Sequence, residues 1–543
     1  MVFARRSTTL LAAIIASCAM VLSLAACTSD NKTVVDGQTT VTSNSAGGVA
    51  VFTPSDGITL NQQTPLNKWA KLVPDLAKAL ADAGFKKGDI DHTTSDSLDK
   101  QSRAIQDFVV DHLSNNTTDD SGIAIAPDNM TLLVAPVVEA DASTRQYGDY
   151  ISQNLSTNDA TDGEATSDGE SSEDDSSKDD SSNTESDSTA SDEQAQAVDR
   201  LVSSLKLAKE SGMHVVLLGN SIEGYKPDAF VKFSDAQTIG KLQAEKMVSK
   251  LKLDKASKDN PKYIEVLLPY TAVDEKGNAN DSTFAQEAFR GIWQVLGSYY
   301  QKGVVESPSG TLDGKSTEND WQAVAYDAAK EGSTAKVLDK RLAKTDGQST
   351  LTRIDGIITM NDYIASEVVK ELDDLGYTGS AADINPQITI SGIVGNITGK
   401  KDLSRDAVPD PIKSPENDNA NDSSSSDDDA DEDTSASDKD RDSQWPLVTG
   451  YGAYVSNIPS IVNGKQWMTG MEDRQTIATD IAQACAKLNK DEALNSMPSI
   501  RNSEVGGVKK IPTISEPLLA VSASNLKSAL IDPGYISLAD AGL

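Results

Sequence analysis

Three histidines and three cysteines in 543 residues leave little for metal or nucleophilic chemistry to use. His92, His112 and His214 stand apart from any serine, cysteine or carboxylate motif, no pair has zinc-ligand spacing, and no P-loop lysine motif occurs. The chain therefore reads as non-catalytic, with no cofactor required. Basic residues are also short: 49 Lys and Arg against 83 Asp and Glu give a net charge of −34, which argues against nucleic acid as a partner. The apolar run at residues 9–24, behind Arg5-Arg6, is too short and wrongly flanked for a membrane span and reads as a secretory leader.

Most of the negative charge lies in two Ser/Asp/Glu tracts. Residues 159–193 hold 14 acidic side chains against Lys178, and residues 416–442 hold 12 against Lys439 and Arg441, together −23 of the −34. Without large apolar side chains neither tract can bury enough surface to offset the entropy of ordering. Both are expected as disordered insertions, over 156–195 and 413–444, in a fold that resumes after each. They read as solubilising, self-repelling loops, with cation or cell-wall binding as the sharper alternative.

The leader ends in Leu24-Ala25-Ala26-Cys27, which resembles the bacterial lipobox. That resemblance implies loss of residues 1–26 and diacylation of Cys27, hence a chain held at the cell membrane on its extracytoplasmic face. Each acyl methylene in lipid contributes ~0.8 kcal/mol, so two chains anchor firmly. Residues 27–46 then read as a flexible tether. With Cys27 an anchor, Cys485 lacks a partner and no disulfide framework is expected.

Residues 354–376, IDGIITMNDYIASEVVKELDDLG, carry the clearest fold signal. An apolar run stops at Asn361-Asp362, and apolar residues then recur at Ile364, Val368, Leu372 and Leu375, which predicts a buried strand entering an amphipathic helix. Asn361 suits the N-cap and Gly376 the left-handed residue after the last turn. Both polar residues at 361–362 thus fall at the carboxyl end of a parallel strand, where open α/β sheets bind ligands. Similar tips follow strands expected at 122–126 (Pro127-Asp128-Asn129), 215–218 (Gly219-Asn220-Ser221) and 263–268 (a loop ending near Asn280). Helices are expected from Trp69, with Pro74 in the first turn, over 99–112, from about Gln194 and Ser282, from Trp321 and over 474–488. This is the pattern of an α/β fold with parallel sheets, and the length suits two lobes.

The order of the lipoprotein start, IAPDN, FSDAQTIGKLQAE, the Trp321 helix start, TMNDYIA and LVTGYGAYVSNIPSIVNGKQWMTGMED resembles the sugar-binding type I periplasmic binding proteins of ABC importers, closest to the xylose-binding type. The resemblance implies two doubly wound parallel-sheet lobes, 47–235 with 473–512 and 236–472 with 513–543. Three crossings near 233–235, 471–473 and 511–521 would join them and let them close on a small ligand. It further implies a monomer that delivers a mono- or oligosaccharide to an ABC permease. The matching candidate contacts are Lys68 (in the place of an arginine), Trp69, Asp128, Asn220, Asn280, Trp321, Asn361, Asp362 and Tyr451. Plainer readings stand beside them: Asn361 and Asp362 as helix caps, Asp128 as a turn cap, Trp69 and Trp321 as core. Three departures reduce the charged partners for hydroxyls: Gly452 lies where the family has Asp, Ser221 where it has Arg, and Glu472 where it has Lys. No particular sugar follows. The rival expectations are a surface sensor or adhesion lipoprotein with an altered pocket, or an ABC receptor for a non-sugar such as a nucleoside.

Overall fold

The computed structural model describes residues 46–55, 65–115, 125–138, 144–156, 185–273, 280–343, 350–381 and 444–543. Cys27, the leader, the tether up to residue 45, residues 157–184 of the first acidic tract and residues 413–443 of the second lie outside the described residues.

The first run of elements is β1 (Gly48–Pro54), α1 (Trp69–Asp82), β2 (Ile90–Ser95), α2 (Leu98–Asn115), β3 (Met130–Val134), β4 (Asn154–Leu155), α3 (Glu185–Glu210), β5 (His214–Leu218), β6 (Ser221–Ile222) and β7 (Ala229–Val231). The second is α4 (Ala236–Leu251), β8 (Lys262–Val266), β9 (Leu268–Pro269), α5 (Thr283–Gln301), β10 (Val305–Glu306), α6 (Trp321–Val324), β11 (Ala325–Tyr326), α7 (Ser333–Arg341), β12 (Gly356–Ile358), α8 (Asp362–Leu375), β13 (Leu447–Val448), α9 (Ile458–Val462) and β14 (Met468–Met471). The chain ends with α10 (Arg474–Leu488), β15 (Ile500–Val505), β16 (Val508–Ile514) and β17 (Leu519–Ser522).

Parallel strands β2-β1-β3-β5-β7 form one sheet, to which β16 adds in parallel and β15 antiparallel at the edge. A second sheet, β10-β8-β12-β13, is parallel throughout. Both faces of each sheet are covered. On the first, α1 and α10 pack one face through Leu72, Leu76, Ile477 and Ile481, and α2 and α3 the other through Ile105, Val109, Leu201 and Leu205. On the second, α4 and α5 contribute Ile239, Met247, Phe289 and Ile292, while α7 and α8 contribute Leu338, Ile364 and Val368. Strands buried on both sides read as continuous apolar runs, which is why β5 is legible at 215–218. The result is two doubly wound α/β lobes. The chain passes between them after β7, after β14 and between β16 and the antiparallel β14–β17 ladder.

Four local expectations need correction. Of the strand expected at 122–126 only 125 and 126 are described, neither is in a strand and Ala126 is exposed; the buried strand here is β3, Met130–Val134, with Pro127–Asn129 a single 3-10 turn in front of it. Pro74 lies inside α1 rather than in its first turn. It is tolerated because Pro74 and Ala70, whose carbonyl loses its helical partner, both face solvent. Helix α3 starts at Glu185, inside the tract whose composition predicts disorder. The helix opening at Trp321 is one turn long.

Helices α4 and α5 cross at glycines. A Cβ on Gly291 would lie 2.0 Å from the Gln237 carbonyl oxygen, and one on Gly240 would lie 2.2 Å from that of Ala288. In a free helix Gly→Ala gains up to ~1 kcal/mol. Here overlap with rigid backbone decides the sign. Gly291→Ala and Gly240→Ala should each lower unfolding stability by ~1–3 kcal/mol in urea titrations. Unchanged or raised stability would contradict so close a crossing.

Candidate functional site

The candidate residues that come together follow the carboxyl ends of β1, β5 and β12. In the second lobe β12 leads through Met360, whose φ of +68° is costly for a residue with a Cβ, into the N-cap of α8. The Met360 carbonyl is held by Gln243 Nε2 at 3.0 Å. Asn361 accepts the Ile364 amide at 2.9 Å through Oδ1, as a cap should, and this leaves Nδ2 to donate across the cleft to Gln146 Oε1 at 3.1 Å. Capping and an outward contact therefore coexist in one side chain.

Asp362 is placed differently from the expectation that it meets a solute. Its Oδ1 accepts Gln466 Nε2 at 2.7 Å, and its Oδ2 accepts the Tyr454 amide and Thr469 Oγ1, both at 2.9 Å. The residue is fully buried, and burial pushes its carboxyl up to about 6. With its lone pairs committed to the frame, it ties α8 to β14 and to the loop after β13.

In the first lobe α1 begins at the site. Trp69 is buried and meets Tyr150 and Phe233 edge-on, with ring centroids 5.0 and 5.7 Å apart. Lys68 pairs with Asp149 at 2.7 Å, and Asp149 also accepts the Trp69 amide at 3.0 Å. Asn220, at the tip of β5, is buried and spent on backbone: Oδ1 takes the Gln153 amide and Nδ2 donates to the Pro136 carbonyl, each at 2.9 Å.

Asn361, Lys68, Trp69 and Asn220 each reach residues 144–155, a segment that sequence reasoning passed over. Tyr150 stacks on Phe233 at 4.6 Å, and its hydroxyl donates to the Lys68 carbonyl at 2.5 Å. Tyr147 is buried against Phe284 and Tyr451, centroids 4.7 and 6.2 Å away, with its hydroxyl beside Asn361. Gly148, at φ +101°, lets the segment approach α1; a Cβ there would lie 2.5 Å from the Asn67 carbonyl oxygen. The available signal was TRQYGDYISQNL, which sets two tyrosines and a glycine between polar stretches.

The remaining candidates are dispersed. Asp128 is exposed at the amino end of β3, with its carbonyl 3.2 Å from His214 Nε2, so it stands at the opposite end of the strand from the cleft. Asn280 closes its own loop by donating to the Thr271 carbonyl at 2.8 Å. Trp321 is half-buried, edge-on to Tyr270 at 5.1 Å. Tyr451 is fully buried at the crossings, its hydroxyl 2.5 Å from Ser234 Oγ. Gly452 adopts φ +114°, and a Cβ would meet the Tyr454 ring at 2.9 Å, so the Asp of the family pattern would be strained here. Ser221 donates to Asn154 Oδ1 at 2.8 Å.

Glu472, on the second crossing, accepts the amide of Ser234, on the first, at 2.6 Å and also accepts its hydroxyl. Burial pushes this carboxyl up to about 7. The folded state thus holds the proton more tightly than the unfolded chain, so the group's contribution is present below the unfolded value near 4.5 and is lost as pH rises toward 7. Glu472→Gln keeps an acceptor and removes the titration. The parent-minus-variant difference in unfolding free energy should fall by ~3 kcal/mol between pH 4.5 and 7.5. A difference independent of pH would show that the carboxyl is not perturbed.

No family model matches this chain, and no curated relative does. Among solved structures it is similar to an ABC transporter solute-binding protein from Clostridium phytofermentans with bound β-D-glucose (16% identity, TM-score 0.43, 91% of this chain and 99% of that one). It is also similar to a carbohydrate transporter solute-binding protein from Chloroflexus aurantiacus in complex with D-glucose (17%, 0.43, 92% and 98%). A third is an arabinose-binding protein from Geobacillus stearothermophilus (9%, 0.41, 89% and 99%).

Proposed function

We propose that this protein is a lipid-anchored extracytoplasmic receptor that takes a sugar or related polyol between its lobes and hands it to an ABC import permease. The observation that carries the reading is that Lys68 and Trp69 from one lobe and Asn361 from the other reach the same short segment, at Asp149 and at Gln146. A sugar offers hydroxyls in fixed directions and an apolar C–H face. An ammonium and a carboxamide satisfy the first, and aromatic rings cover the second. Hinge bending at three crossings would enclose the solute, exchanging its water for side-chain partners in a concave cleft. Cys27, through its acyl chains, would keep the receptor near the permease. Among the described residues no helix is long and apolar enough to cross a membrane.

A second reading, a surface sensor or adhesion module on the same fold, is favoured by one observation: Asp362, Asn220 and Tyr451 are committed internally. The two readings part on ligand binding. Titration calorimetry of the chain starting after Cys27 against pentoses, hexoses and short oligosaccharides should give a saturable heat. Asn361→Ser, which retains a capping oxygen and removes the outward amide, should weaken that affinity about tenfold or more with little change in Tm. Full affinity in this variant would place the site elsewhere. A folded parent silent toward the whole panel would favour the sensor reading.

A further inference from the structure

We propose that residues 144–156 form an arm of the first lobe that fills the second lobe's half of the solute site, holds the lobes together in its absence, and is displaced when a solute binds. The placement of the site rests on the function proposed above; the clamping does not.

The arm belongs to the first lobe because its carboxyl half is built into it. Strand β4 pairs with β6, Asn154 opposite Ser221 and Leu155 opposite Ile222. The Ser221 amide donates to the Gln153 carbonyl at 2.9 Å and the Glu223 amide to that of Leu155 at 2.8 Å. Asn220 fixes the Gln153 amide, and Lys68 and the Trp69 amide fix Asp149. The head of the arm grips the other lobe by less. Gln146 accepts Asn361 Nδ2 through its side chain and the Tyr454 hydroxyl, at 2.6 Å, through its carbonyl. Tyr147 lays its ring against Phe284 and Tyr451.

Those head contacts have the chemistry that a sugar would offer the same groups. Two oxygen acceptors meet an amide and a phenol, and an apolar ring covers aromatic faces. Exchanging them for a solute conserves hydrogen bonds, and each such bond contributes only ~1 kcal/mol net, so neither occupant wins by a wide margin. Opening the lobes separates the head from the second lobe while leaving β4 in place. A docked arm lowers apparent affinity by the fraction of molecules in which the site is free.

The test places spin labels at Lys78→Cys on α1 and Lys370→Cys on α8, both exposed, in the chain starting after Cys27, where Cys485 is buried. Without ligand the parent should give one narrow interlobe distance. The Gln146→Ala/Tyr147→Ala variant should give a longer and broader one. Gln146→Ala alone, which removes a single side-chain bond at a half-buried residue, should shift the distribution partway and guards against misfolding of the double variant, checked by circular dichroism. Calorimetry with D-xylose, D-ribose and D-glucose should then show affinity raised about 10–100-fold in the double variant. An interlobe distance unchanged in both folded variants overturns the clamp, and so does a sugar affinity that falls in the Gln146→Ala/Tyr147→Ala variant, which keeps Asn361. Opened lobes with no heat from any sugar would leave the clamp standing and remove the sugar reading instead.

Discussion

One buried carboxylate holds the crossings together. Glu472 arrives with the second crossing and accepts both the amide and hydroxyl of Ser234 from the first, while its own amide reaches Asn67 Oδ1, at 3.3 Å, ahead of α1. Tyr451 completes the node from the loop after β13. An ionised carboxylate in so dry a place costs several kcal/mol; these donors offset part of that cost, and the rest is what pushes the group up to about 7. The position of α1, and with it Lys68 and Trp69, is therefore coupled to the segments about which the lobes would turn. Asp362 does the equivalent work inside the second lobe, where it fixes α8 and leaves Asn361 as the side chain that looks outward.

The parts of the chain that were readable from sequence are those where local chemistry and global fold agree. Residues 354–376 declare a strand, an Asn cap and a Gly stop because each is dictated by its neighbours within a few positions, and β12, the Ile364 bond to Asn361 and the left-handed Gly376 follow that pattern. The same holds for α10. Asp128 failed for the opposite reason: a polar tripeptide marks a strand end without saying which end, and only the burial of Met130–Val134 identifies Pro127–Asn129 as the approach. Asp362 looked like a ligand contact because a carboxylate at a strand tip usually faces outward. Its partners Gln466 and Thr469 lie more than 100 residues away and gave no local signal. Residues 144–155 escaped notice for the same cause, since their partners are Trp69, Asn361 and Tyr454.

On the proposed reading, a sugar site between the lobes and the segment that occupies it are parts of one design. A site whose groups can satisfy hydroxyls and cover a C–H face is costly to leave half-solvated, and Gln146, Tyr147 and Asp149 relieve that cost within the chain. The receptor and sensor readings share this arrangement. They differ in whether the occupant gives way to a solute from outside.

Amide hydrogen exchange, with and without a saturating sugar from the pentose and hexose panel, addresses that exchange of occupants directly. On this account peptides covering residues 361–366 become slower to exchange as the sugar engages Asn361, while peptides covering 144–150 become faster as the head of the arm is released. Slowing in both regions would make the segment a wall of the bound site rather than its resident competitor. No change in either region, for a sugar shown to bind, would contradict the placement of the site itself.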